Sequence, residues 1–222
     1  MNELINHNNR VGSKVTNVKP GTVISAFIWG GEAKAIGAYS DYSIADASIL
    51  FPLTSSLSAH LSKESAATIP LAATTAWLGL LSPDCLNIPR SSFNGGKPSV
   101  LIWGGTSSVG SYAVQLCRLL GFKVAATCSK ANFELVKSFG AEHVFDYKAE
   151  DVVDQIKAAM PDIEYAFDTI GSASTSAAAA KACAEGTGTI VTTRPGAPDT
   201  EEAAKHAKVT SVLVFTGEWI AS

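Results

Sequence analysis

From about residue 63 onward, short apolar runs alternate with longer stretches of about ten residues that carry an apolar face. Val100 to Trp103 is such a run, set between Lys97-Pro98 and Gly104-Gly105. Its length and flanking turn formers predict a buried strand. Val109 to Leu120 follows, apolar on nearly every side, as expected of a helix packed on a sheet, and Gly121 stands where a left-handed cap is wanted. Lys123–Thr127, Val144–Asp146, Ile163–Asp168, Thr189–Thr193 and Thr210–Phe215 predict five further strands. Phe133–Phe139 (closed by Gly140), Val152–Met160 and the Ala-rich Ala173–Ala184 predict helices between them. That alternation implies parallel strands joined by crossovers, a doubly wound α/β domain over residues 63–222. Residues 1–62 differ. Turn formers at Gly12-Ser13, Pro20-Gly21, Gly30-Gly31 and Gly37 separate β-type runs at Val23–Trp29 and Tyr39–Ile44, which predicts part of an all-β unit.

Ser65 to Pro83 is a run of nineteen uncharged residues. Pro70 interrupts it and Thr68, Thr74 and Thr75 lie inside it, so it reads as a buried helix rather than a membrane span. The chain is 46% apolar and 17% charged, which supports a large core and excludes a disordered chain, a coiled coil or a collagen-like repeat. A net charge of −3 argues against nucleic acid or an anionic membrane as partner, while leaving room for a local basic site that holds a small phosphate. Cys85, Cys117, Cys128 and Cys183 are 32, 11 and 55 positions apart, and His7, His60, His143 and His206 are equally scattered. No zinc or dithiol spacing results, so no metal site is expected and the cysteines read as buried thiols in a reducing compartment. The polar, Asn-rich start is no signal peptide. A cytoplasmic protein is expected.

The chemistry concentrates after the first strand of the α/β region. Gly104-Gly105-Thr106-Ser107-Ser108-Val109-Gly110 joins that strand to its helix. A tight turn there aims free N–H groups and the positive end of the helix at a pyrophosphate. Gly105 and Gly110 take the outer positions of the three-glycine dinucleotide fingerprint, and Ser107 replaces the middle one. The plain alternative is a turn in which Thr106, Ser107 or Ser108 caps the helix. The second strand ends Thr127-Cys128-Ser129-Lys130, with no acid in reach to hold a ribose diol. Ser129 and Lys130 suit a 2′-phosphate, which favours NADPH over NADH and weakens a methyltransferase reading. In the plainer alternative Ser129 caps a helix and Lys130 is solvated. No tyrosine is followed four residues later by lysine, which disfavours a short-chain reductase.

Val100 to Tyr147, with its glycine turn, Cys128-Ser129-Lys130-Ala131-Asn132 and Phe145-Asp146-Tyr147, resembles zinc-independent medium-chain dehydrogenase/reductases. The branch it resembles holds the fungal trans-acting enoyl reductases and the quinone oxidoreductase-like, or zinc-binding alcohol dehydrogenase-like, proteins. Val11–Gly21 and Gly37–Asp46 are similar to the later part of that family's GroES-like domain, and Ala66–Leu81 to the helix leading into its cofactor domain. The resemblance implies a Rossmann-type sheet over 63–222, preceded by a partial GroES-like β domain over 1–62. It implies that Thr106, Ser107, Ser108 and Val109 hold the pyrophosphate, and that Ser129, Lys130, Ala131, Asn132 and Tyr147 surround a 2′-phosphate. Thr193 and Arg194 would lie near the nicotinamide. Thr75, Trp77 and Leu78 would face the substrate, although apolar residues at helical spacing also serve as plain core.

The implied activity is NADPH-dependent, metal-free reduction of an activated C=C bond in an enone, quinone or enoyl thioester. No catalytic residue follows from the sequence. The family's further strands before Met1 and its return after Ser222 are missing, so truncation at both ends is expected. The alternative function is then an NADPH-binding protein with little or no turnover. A structural subunit pairing through an exposed sheet edge is a third reading.

Overall fold

The computed structural model describes residues 3–7, 10–28, 37–38, 40–90 and 97–214. The chain divides into two units between Thr74 and Thr75. In the first unit, β1 (Glu3–His7), β2 (Val23–Phe27) and β3 (Leu50–Pro52) form an antiparallel sheet in the order β1-β2-β3. Ile24, Ser25 and Ala26 of β2 are buried. Burying a serine is tolerable because its hydroxyl donates to the Ala66 carbonyl at 2.7 Å.

Two sequence expectations fail in this unit. Tyr39–Ile44 forms no strand among its described residues, 40–44. The Ser40 hydroxyl instead lies within reach of the Gly37 and Tyr42 carbonyls at 2.9 and 2.6 Å, its one proton serving either, a local alternative to a sheet ladder. Tyr42 and Ile44 are exposed, so the β-type composition there has no partner. Conversely, the polar segment Glu3–His7 is a strand, held by backbone pairing to β2 that composition does not advertise. After α1 (Ser55–Ser58), the helix expected over Ala66–Leu81 breaks at Thr68 into α2 (Lys63–Ala67) and α3 (Ile69–Leu81). Pro70 sits in the first turn of α3, where its missing N–H costs nothing.

The second unit is a six-stranded parallel sheet made of β4 (Ser99–Trp103), β5 (Lys123–Cys128), β6 (His143–Asp146), β7 (Tyr165–Asp168), β8 (Thr189–Thr192) and β9 (Lys208–Ser211). The strand order is β6-β5-β4-β7-β8-β9. The connecting helices are α4 (Ser108–Leu119), α5 (Phe133–Phe139), α6 (Val152–Ala159), α7 (Ala173–Ala182) and α8 (Glu201–Ala204). This is the expected Rossmann-type fold.

Every side chain of β4 is buried, and alternate residues serve opposite faces. Val100 and Ile102 join one core cluster, Leu101 and Trp103 the other. Such two-sided burial is why the strand reads as an uninterrupted apolar run. Gly121 and Gly140, at φ of 79° and 116°, end the helices before β5 and β6 as expected. The last strand lies two residues earlier than Thr210, at Lys208–Ser211, because its register is set by pairing with Thr189–Thr192. An edge strand needs less apolar sequence than a central one, which moved the expectation onto the following Val212–Leu213. Among the described residues, no helix is long and apolar enough to cross a membrane.

Candidate functional site

Strand order reverses between β4 and β7, so the loops leaving the carboxyl ends of these two strands flank a crevice at the switch point. The glycine turn leaves β4 there. Gly104, at φ 90°, donates its N–H to Thr127 Oγ1 at 3.0 Å, and the Gly105 N–H reaches the Thr127 carbonyl at 2.8 Å. Those bonds fasten the turn to the end of β5. Gly110 is obligatory: a Cβ there would run into the Gly104 carbonyl oxygen. Ser107 is the N-cap of α4, its Oγ accepting the Gly110 N–H at 2.9 Å. The capping alternative is therefore real for Ser107, and it leaves the backbone available. Thr106, Ser108 and Val109 have N–H groups with no acceptor among the described residues. Unengaged donors at a helix start form an anion cradle, and Gly110 lets the turn close up behind it.

Sequence reasoning missed the clamp on this cradle. Thr169, just after β7, bonds Ser107 Oγ at 2.7 Å, and its Oγ1 also donates toward the Trp103 carbonyl at 2.8 Å and the Gly104 carbonyl at 3.1 Å. One hydroxyl proton serves these acceptors, so the bonds are shared rather than simultaneous. Thr169 is in turn placed by Asp168, a carboxylate with no exposed surface. Asp168 Oδ1 accepts the Ile170 and Gly171 N–H groups at 3.0 and 3.1 Å. Its Oδ2 accepts the Thr175 and Ser176 hydroxyls at 2.9 and 2.7 Å. A buried carboxylate is tolerable with four donors. An Asp-Thr pair at the end of the switch-point strand was the signal available in the sequence.

The residues expected around a 2′-phosphate lie at the adjoining ends of β5 and β6. Ser129 starts a 3₁₀ turn over Lys130–Asn132 without capping it. Its Oγ accepts from Asn132 Nδ2 at 3.1 Å instead. Ala131 is exposed. Tyr147 is brought beside this joint by its N–H bond to the Cys128 carbonyl at 3.3 Å, and Lys148 Nζ lies 5.7 Å from its half-exposed ring. The expectation of no acid in reach is corrected here. It holds along the chain but not across the sheet: parallel register sets Asp146 beside Cys128, with Oδ2 4.0 Å from Lys130 Nζ. Burial, and secondarily Asp146, pushes the Cys128 thiol up from its ordinary value.

Thr193 donates its N–H to the Asp168 carbonyl at 3.1 Å, and Arg194 packs on Gly171 while its Nη1 lies 3.5 Å from Asp199 Oδ2. The three residues expected to face substrate differ in surroundings. Thr75 is buried and Leu78 packs against the core, whereas Trp77 is half-exposed with the Arg90 guanidinium 5.6 Å over its ring. Among the described residues, no three His, Cys, Asp or Glu side chains converge as metal ligands.

A doubly wound parallel sheet with a capped glycine turn at its switch point defines the Rossmann-type class of α/β proteins. The zinc-binding dehydrogenase family matches residues 108–217. Trans-enoyl reductase tndF of Aspergillus flavipes is 42% identical over 159 residues, covering 68% of this chain and 44% of that protein. Dehydrogenase azaJ of Aspergillus niger is 38% identical over 153 residues, covering 67% and 43%. A zinc-dependent alcohol dehydrogenase-type structure from Rhizobium etli CFN 42 superposes with a TM-score of 0.79 at 26% identity, covering 98% of this chain and 62% of that one. The chain belongs to the medium-chain dehydrogenase/reductase superfamily. It spans less than half the length of these two fungal relatives.

Proposed function

We propose that this chain forms the cofactor-binding part of an NADPH-dependent oxidoreductase that reduces an activated C=C bond in an enoyl thioester, enone or quinone. The observation that carries the reading is the clamped glycine turn, with three N–H donors that have no acceptor among the described residues and with Ser129 and Lys130 at the adjacent strand end. Support for the substrate class comes from the fungal relatives named as trans-enoyl reductases. When bound, reduced nicotinamide supplies hydride for the β-carbon of a conjugated alkene. The chain's own residues do the holding. Thr106, Ser108 and Val109 bind the pyrophosphate through their N–H groups, and Ser107 keeps the turn in shape. Ser129, Lys130, Ala131, Asn132 and Tyr147 receive the adenosine 2′-phosphate, Lys130 through its charge. Thr193 and Arg194 border the nicotinamide end, and Trp77, with Thr75 and Leu78 behind it, borders the substrate.

Conjugation already polarises the alkene, so the proposal uses no metal. A small-molecule or acyl-thioester substrate and a cytoplasmic setting belong to the same reading. Fluorescence titration tests the core of it. NADPH is expected to bind at least tenfold tighter than NADH, and Lys130→Ala to remove most of that gap, because one charge-assisted phosphate contact is worth about 1.5–3 kcal/mol. Equal affinities in the unmutated chain would overturn the assignment.

A further inference from the structure

Lys130 does not meet an incoming ligand as an uncompensated cation. Asp146 reaches the same spot from the neighbouring strand, its side chain 14% exposed against 80% for Lys130. The carboxylate is also held in place, since Oδ1 accepts the Lys148 N–H at 3.0 Å while Oδ2 faces Lys130. Its field is felt at the end of β5, where it adds to burial in raising the Cys128 thiol. A fixed negative charge and a solvent-exposed positive one thus share the rim expected to receive the adenosine ribose.

We propose that Asp146 is a specificity-determining residue whose carboxylate weakens the site's grip on a ribose 2′-phosphate and so narrows the preference for phosphorylated over unphosphorylated nucleotide. The inference rests on the nucleotide-binding reading above. Two effects of the carboxylate compete. Pairing with Lys130 would orient the ammonium for the phosphate, and direct repulsion would push a dianion away. The pairing is long and its lysine lies largely in water, and such ion pairs order a side chain little. A phosphate resting on Lys130, by contrast, lies within the roughly 8 Å over which charges still interact at physiological salt, so its repulsion from Asp146 is only partly screened. Repulsion wins. The free ribose hydroxyl carries no charge and is indifferent to the carboxylate, apart from a hydrogen bond that an amide oxygen also provides.

Calorimetric titration of the full chain with 2′,5′-ADP and with 5′-AMP separates the two ligands by the 2′-phosphate alone. Asp146→Asn, which keeps an acceptor for the Lys148 N–H, is expected to tighten 2′,5′-ADP about tenfold, or about 1.4 kcal/mol, and to leave 5′-AMP within about twofold. Asp146→Ser carries the same expectation should the amide disturb the strand end. The gain is expected to shrink as salt rises. An unchanged or weakened 2′,5′-ADP affinity in both variants, with wild-type binding intact, overturns the role of Asp146 and leaves the nucleotide reading standing. Failure of both probes to bind the unmutated chain and the variants overturns the nucleotide reading itself, and this inference with it.

Discussion

Asp168 shows how one side chain can fix several others. Its four donors come from the loop that carries Thr169 and from the first turn of α7, so the carboxylate ties a strand end to a helix start. Removing it strands two N–H groups and two hydroxyls, of which the Gly171 N–H and the Ser176 hydroxyl lie in buried bonds. Each buried donor left unpaired costs about 1–3 kcal/mol, partly recovered by the two hydroxyls rotating to other acceptors. Asp168→Ala is therefore expected to lower stability by about 3 kcal/mol or more in urea unfolding. A loss under 1 kcal/mol would show that the loop holds itself without this group. In the sequence, Asp168 was visible as the last residue of a strand, and Ser129, Lys130 and Tyr147 as candidates near a phosphate. Asp146 was not visible as a neighbour of Lys130, because sixteen positions of chain separate them and only parallel register brings them together.

At the scale of elements, strands of the parallel sheet were legible because two-sided burial forces continuous apolar runs with turn formers at each end. Where that pressure is absent, the reading slipped. Glu3–His7 pairs through backbone alone, Tyr39–Ile44 has β-type composition without a described partner strand, and β9 is an edge. Polar contacts that join elements were equally hidden. Glu202 of α8 lies 3.3 Å from Lys181 of α7 and 2.7 Å from Lys205, with His206 Nε2 at 3.6 Å. The hydrogen bond from Lys205, followed by that from Lys181, holds its carboxyl at about 2, below its ordinary 4.5. A depressed carboxyl stabilises the fold above its unfolded pKa and ceases to do so as pH falls through its folded one. The stability gap between the unmutated chain and Glu202→Gln is thus expected to be full above about pH 4.5 and to close as pH approaches 2. Thermal unfolding across that range measures it. A gap that is flat down to pH 2 would show that the lysines do not hold the carboxylate in solution. High salt should shrink it, since the group is about half exposed to solvent.

For the whole molecule, the cysteines give the broadest check. All four are free and buried, Cys85, Cys117 and Cys128 in one core cluster and Cys183 in the other. Burial raises the Cys117 thiol and pushes Cys183 up to about 12, so neither offers much thiolate, the form that reacts and binds metal. The folded protein is expected to resist thiol reagents, to show four thiols once denatured, and to carry no stoichiometric zinc by metal analysis. One zinc per chain would reject the metal-free proposal. The site as a whole was legible to the extent that it is local. The glycine turn lies within seven consecutive residues, whereas its clamp depends on a contact between Ser107 and Thr169, 62 positions apart. That separation has a consequence for the protein during its own synthesis. β4, β5 and β6 leave the ribosome in succession and can pair at once, carrying a glycine turn that is already tied to Thr127. Thr169 and the hydroxyls that seat Asp168 emerge only later, with β7 and the start of α7. A nascent chain therefore passes through a stage that has the turn without its latch, and the finished turn arrives late in translation.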